Sequence, residues 1–106
     1  MPSTVQEIFA EIPKHFDPAA WGPDNAVLQF NITGENGGQW NATIEGGRLT
    51  VVEGTASQPS MTVTCADQDM LAIVNNELSA VSAFMQGRVK IDGDMSLAMK
   101  LQNLLT

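Results

Sequence analysis

Catalysis needs reactive side chains within reach of one another, and this sequence offers few. Its one histidine is His15 and its one cysteine is Cys65. Nucleophilic catalysis requires a nucleophile and a base in hydrogen-bond contact, usually with a third group orienting the base. His15 follows Pro13 near the end of a first helical pattern, where a surface or loop role is expected. Cys65 closes an alternating strand pattern on its apolar side, the position of a small buried hydrophobe. One His and one Cys do not make a zinc site. Two carboxylate pairs occur, Asp67 with Asp69 and Asp92 with Asp94. The first opens a helical pattern and the second flanks Gly93 ahead of another, so capping and dipole roles account for both. The glycines match no phosphate-loop or dinucleotide fingerprint. The residues therefore predict no catalytic site, no metal site and no cofactor.

Charge narrows the partners. Five Lys and Arg stand against 12 Asp and Glu, a net charge of −7. Phosphate backbones are neutralised by basic side chains, so nucleic acid is not an expected partner. Anionic membrane surfaces repel the chain as a whole, and any membrane contact must be transient and hydrophobic. A single cysteine permits no internal disulfide and fits a reducing compartment. The N-terminal residues lack the basic start and apolar run of a signal peptide. No apolar stretch nears the roughly 20 residues a membrane span needs, and Asn103-Leu104-Leu105-Thr106 is not a peroxisomal address. The expectation is a soluble cytoplasmic protein. With 43% apolar and 16% charged residues in a chain of 106, one domain over residues 1–106 is predicted. The six methionines suit either ordinary core filling or a lining that repacks around variable shapes.

The elements follow from periodicity. Val5, Ile8, Phe9 and Ile12 recur at helical spacing, with Ser3 or Thr4 placed to cap and Pro13 to end or kink the helix. Asp17-Pro18 reads as a cap followed by a first-turn proline, with one helical turn to Trp21. From Asn25 the period becomes two: Leu28, Phe30 and Ile32 point one way, Gln29, Asn31 and Thr33 the other. A turn over residues 34–38 leads to Trp40, Ala42 and Ile44, and Glu45-Gly46-Gly47-Arg48 forms a tight hairpin into Leu49 and Val51. Short links make these three strands an antiparallel meander. Met61, Val63 and Cys65 mark a fourth strand and Arg88 to Asp92 a fifth. Each strand has one apolar and one polar face, so the sheet is expected to be covered on one side and solvated on the other. Helices are predicted from Asp67, from Ser79 to Gln86, and from Asp94 onward, with Asn75-Asn76 supplying a left-handed turn.

The terminal helix is the unusual element. At about 100° per residue, Met95, Leu97, Ala98, Met99, Leu101, Leu104 and Leu105 sweep an arc of roughly 220°. A surface helix needs a stripe only slightly above about 100° wide. Either the helix packs between layers, or it lines a cavity while also touching the sheet. Gln102 falls inside the apolar arc, where an unpartnered amide costs about 1–3 kcal/mol. Its amide is read as bonding a backbone carbonyl or solvent, or as meeting the polar end of a bound amphiphile.

At these residues the chain resembles the sterol carrier protein type-2 family of non-specific lipid-transfer domains. The match runs through Ala83-Phe84-Met85, Gly87, Lys90-Ile91, Gly93-Asp94-Met95 and Leu97-Ala98-Met99-Lys100-Leu101. Trp40, Gly46-Gly47, Gly54, Pro59 and the segment 67–74 follow in order, so the resemblance covers nearly the whole chain from Val5 to Leu105. Asn76 stands where many relatives have glycine, and asparagine is the usual substitute at a left-handed cap. The chain ends without the tail and peroxisomal signal of eukaryotic carriers, which points to a stand-alone bacterial-type member. The resemblance implies an α+β fold: a five-stranded, mostly antiparallel sheet covered on one face by about five helices, with a hydrophobic tunnel between the layers. It further implies non-catalytic binding and transfer of a fatty acid, acyl thioester, phospholipid or sterol-like amphiphile. Phe84, Met85, Met95, Met99, Leu101 and Leu105 would line the tunnel with Phe30, Trp40 and Val51 from the sheet, and Gln102 at its polar end. The alternative is an accessory or scaffold protein that presents a lipid-soluble substrate to a partner such as a lipid-metabolising enzyme.

Overall fold

The computed structural model describes residues 4–23, 25–93, 97 and 100. Helix α1 spans Val5–His15, and the Glu7 amide donates to Thr4 Oγ1 at 3.2 Å to cap it. Val5, Ile8, Phe9 and Ile12 form its buried stripe. Pro13 does not end the helix, which continues to His15. Proline's fixed φ is helical, and so close to the C-terminus its missing N–H removes a single bond. The turn α2, Pro18–Trp21, is capped by Asp17 Oδ1, which accepts from the Ala19 amide at 3.0 Å.

Five strands follow the alternation closely: β1 Ala26–Thr33, β2 Gly38–Glu45, β3 Arg48–Glu53, β4 Met61–Ala66 and β5 Val89–Gly93. Gly46 and Gly47 have φ of 59° and 78°, the pair of positive values a type I′ hairpin between β2 and β3 requires. The sheet order is β3-β2-β1-β4-β5. All neighbours are antiparallel except β1 and β4, which are parallel. Phe30 is thereby flanked by Trp40 on β2 and Val63 on β4, and Ile91 lies beyond Val63 on β5. One continuous apolar face results.

The opposite face is not simply solvated, as the alternation alone suggested. To pass from edge strand β3 to β4, the chain crosses β2 and β1 on the polar side. Gln29 lies beneath that crossing and is 2% exposed. Its Oε1 accepts from the Ala56 amide at 2.7 Å, and its Nε2 donates to Asn31 Oδ1 at 3.1 Å and to the Gly54 carbonyl at 3.4 Å. Asn41 Nδ2 also donates to the Gly54 carbonyl, and the Ser60 amide donates to the Val27 carbonyl at 2.7 Å. The crossing is stitched to the sheet by side-chain amides together with backbone bonds at its two ends, Gly54 N–H to the Gln39 carbonyl and Ser60 N–H to the Val27 carbonyl.

Helix α3, Asp67–Val74, ends with Asn76 at φ 60°, the left-handed position its asparagine predicts. Asp67 is not the cap of α3. Ala66 holds that position without a side-chain oxygen, and Asp67 Oδ2 instead accepts from the Asn36 amide at 3.2 Å in the β1–β2 turn. Helix α4, Ala80–Met85, is capped by Ser79, and Gly87 turns the chain out of it at φ 79°. The described residues therefore hold three helices of six residues or more and the single turn α2, fewer than the about five expected. Leu97 and Lys100 are themselves helical, while Asp94, Met95, Ser96, Ala98, Met99 and all residues beyond 100 lie outside the described set. No described helix is long and apolar enough to cross a membrane.

Candidate ligand-binding face

The apolar sheet face and the helices on it enclose an interior of one chemical character. Among the described residues, Gln29 is the one polar side chain in the buried set, and it points away from this interior. Every other member is apolar, from Ile8 and Phe9 on α1 through Met61 and Val63 on β4 to Met70 on α3. The Phe9 ring sits between Phe30, edge-on at 5.1 Å, and Trp40, stacked at 4.6 Å. This aromatic group joins α1 to the two central strands. Among the described residues this interior offers hydrocarbon contacts and no polar side chain.

The expected site residues divide three ways. Phe30 is fully buried, Trp40 nearly so, and Val51 is half-buried against the core at the β3 side. These share the apolar face. Phe84 and Met85 lie at the surface of α4, 41% and 81% exposed, while their neighbour Ala83 is the residue packed inward. Met95, Met99, Leu101, Gln102 and Leu105 lie outside the described residues. The C-terminal segment is nonetheless located at two points. Leu97 joins the buried core, and Lys100 Nζ stands 5.3 Å from the centre of the Trp21 ring. Phe9 was not among the expected site residues, although its place on the periodic stripe of α1 was the signal that could have included it.

Reactive groups stand apart from this interior or are silenced in it. Burial, helped by the negative charge of Asp69, pushes the Cys65 thiol up to about 12. It is a protonated hydrophobe at neutral pH. His15 is exposed and pairs with Glu11 at 3.3 Å on the outer face of α1. Among the described residues no group of three His, Cys, Asp or Glu could hold a metal ion.

A one-sided mixed sheet with an all-apolar interior is a fold that comparison can place. The family model described as "SCP-2 sterol transfer family" matches residues 11–106. This chain belongs to that family. Sterol carrier protein 2 of Oryctolagus cuniculus is 37% identical over 81 residues, 74% of this chain and 15% of that protein. The chain thus spans about a seventh of the length of that sterol carrier protein. Among solved structures, palmitated SCP2L2 from Aedes aegypti is 32% identical with a TM-score of 0.75, covering 95% of this chain and 89% of that one. The Aedes aegypti sterol carrier protein-2 in complex with the C16 fatty acid palmitate is 26% identical with a TM-score of 0.72. That match covers 100% of this chain and 97% of its counterpart. The five-stranded sheet and its helices are those of the SCP-2 family.

Proposed function

We propose that this chain binds a long-chain lipid, with fatty acids and acyl thioesters first among candidates, between its apolar sheet face and its helices, and transfers it without altering it. The observation that carries this reading is the full-length likeness to a sterol carrier protein-2 solved with palmitate. The purely apolar interior supports it, because such a surface gains about 0.8 kcal/mol for each methylene it takes from water. A C16 chain at that rate gains about 12 kcal/mol, the same order as the roughly 4–15 kcal/mol that association costs. Differences of one methylene are weakly discriminated by such a site, so broad selectivity follows. In this proposal Phe30, Trp40 and Val51 meet the hydrocarbon from the sheet, and Phe84 and Met85 form an outer rim. Met95, Met99, Leu101 and Leu105 complete the lining from the C-terminal side, and Gln102 meets the polar end.

The test is a native mass spectrum of gently purified protein, followed by displacement of a fluorescent fatty acid. Added masses of several hundred daltons, displacement by palmitate, and loss of probe binding in a cooperatively melting Met99→Trp variant are expected. A uniformly unliganded spectrum with no probe binding would overturn the proposal.

A further inference from the structure

Four large hydrophobic side chains are exposed among the described residues, and three of them belong to α4. Val81, Phe84 and Met85 are 50%, 41% and 81% exposed. Their spacing of three and four residues places them on one stripe. Helix α1 turns its large side chains inward; α4 buries Ala83 and turns its large ones to water. Apolar side chains gathered in this way mark a surface that meets another apolar phase.

The charge around the stripe says which phase. From Leu78 to Gly87 the chain carries no charged residue, within a sequence of 12 acids and five bases. Arg88, the first cation after it, is engaged: its amide donates to the Ala83 carbonyl at 2.9 Å, and its guanidinium stands 4.0 Å from the Asp69 carboxylate. Lys90 and Asp92 alternate together on the polar side of β5, where their charges offset. The stripe itself therefore carries no charge, with the exposed Glu77 at its N-terminal border, on a molecule of net charge −7. A second copy would bring its own −7 to the contact, and an anionic bilayer would repel the whole molecule. A zwitterionic bilayer does neither.

We infer that α4 is the face by which this protein docks on the interface of a zwitterionic lipid bilayer, with Val81, Phe84 and Met85 entering the boundary between headgroups and acyl chains. The docking is hydrophobic and needs no basic patch. It deepens the lipid-carrier reading, on which it rests, by naming the surface that meets donor and acceptor membranes.

Vesicle flotation tests it. The protein floats with phosphatidylcholine vesicles. Adding about a third phosphatidylserine weakens association at low salt, and salt restores it. Val81→Glu and Met85→Glu each lower association with phosphatidylcholine about tenfold or more, the loss expected for withdrawing one large side chain from the apolar phase. Val52→Glu leaves it unchanged, because Val52 is equally exposed (53%) but lies on β3. In vesicle-free solution Val81→Glu still binds the fluorescent fatty acid. Stronger association with anionic vesicles, or full flotation of both α4 variants, overturns the docking. So does a mass by light scattering that falls from dimer to monomer in Val81→Glu, which would make the stripe a contact between copies. Wild-type protein that floats but takes no fatty acid sinks the carrier reading alone; protein that takes fatty acid but never floats sinks the docking alone.

Discussion

Phe9 and Trp40 lie stacked, ring centroids 4.6 Å apart and planes 13° from parallel. The same phenyl ring meets Phe30 edge-on at 61°. One side chain of α1 therefore touches both of these antiparallel strands, beside Val5, Ile8 and Ile12 of the same buried stripe. Phe9→Ala is expected to cost about 3–5 kcal/mol, the range for removing a buried aromatic whose surroundings cannot close on the gap. Phe9→Leu refills much of that volume and is expected to cost less than half as much. Urea denaturation of the two variants measures the difference. Equal, small losses would show that α1 is held elsewhere along its stripe.

Gln29 holds the other side of the sheet together. Its carbonyl oxygen takes the Ala56 amide at 2.7 Å and its amide nitrogen bonds the Gly54 carbonyl, so both ends of the side chain serve the crossing from β3 to β4. Gln29→Leu keeps the volume but leaves the Ala56 N–H without this acceptor, an expected loss of about 1–3 kcal/mol. The Gly54 carbonyl suffers less, because Asn41 still donates to it at 3.1 Å. Amide hydrogen exchange separates the two: Ala56 should exchange markedly faster in the variant while β1 and β2 amides shift only with global stability.

Gln29 also shows where a sequence reading stops. Alternation placed all five strands, the apolar face and the meander, because side-chain period and turn glycines are local properties. Gln29 alternates in the same way as Asn31 and Thr33, and nothing beside it announces that residues 54–60 pass overhead. Asp67 carries a similar lesson. An acid at the start of a helical pattern reads as a cap, yet its carboxylate reaches the Asn36 amide, 31 residues away in sequence. Local and distant donors share the carboxylate, the Gln68 amide on Oδ1 at 2.8 Å and the Asn36 amide on Oδ2, and the second depends on where the β1–β2 turn arrives. For the proposed site, the inward direction of Phe30 and Trp40 on paired strands was legible. The exposure of Phe84 and Met85 was not, because α4 is too short for its apolar residues to declare a face, and Ala83 takes the inward position.

Cys65 makes stability depend on pH in a window where few other groups interfere. Its thiol titrates at about 12 in the folded protein against an ordinary value of 9.0, chiefly because burial disfavours the thiolate and secondly because Asp69 adds negative charge nearby. Below 9.0 the thiol is protonated in both folded and unfolded chains and contributes no pH dependence. Between 9.0 and about 12 the unfolded chain has lost this proton while the folded one keeps it. Unfolding then releases a proton, so rising pH favours the unfolded state and stability falls across the window. Cys65→Ala lacks the titrating group and should lose less stability over the same range. Urea unfolding at about pH 8 and about pH 10.5 is the check: the wild type's advantage over Cys65→Ala should narrow at the higher pH. Parallel stability curves for the two proteins would mean that the thiol is solvated in the folded state, and rapid alkylation of native Cys65 at the lower pH would lead to the same conclusion.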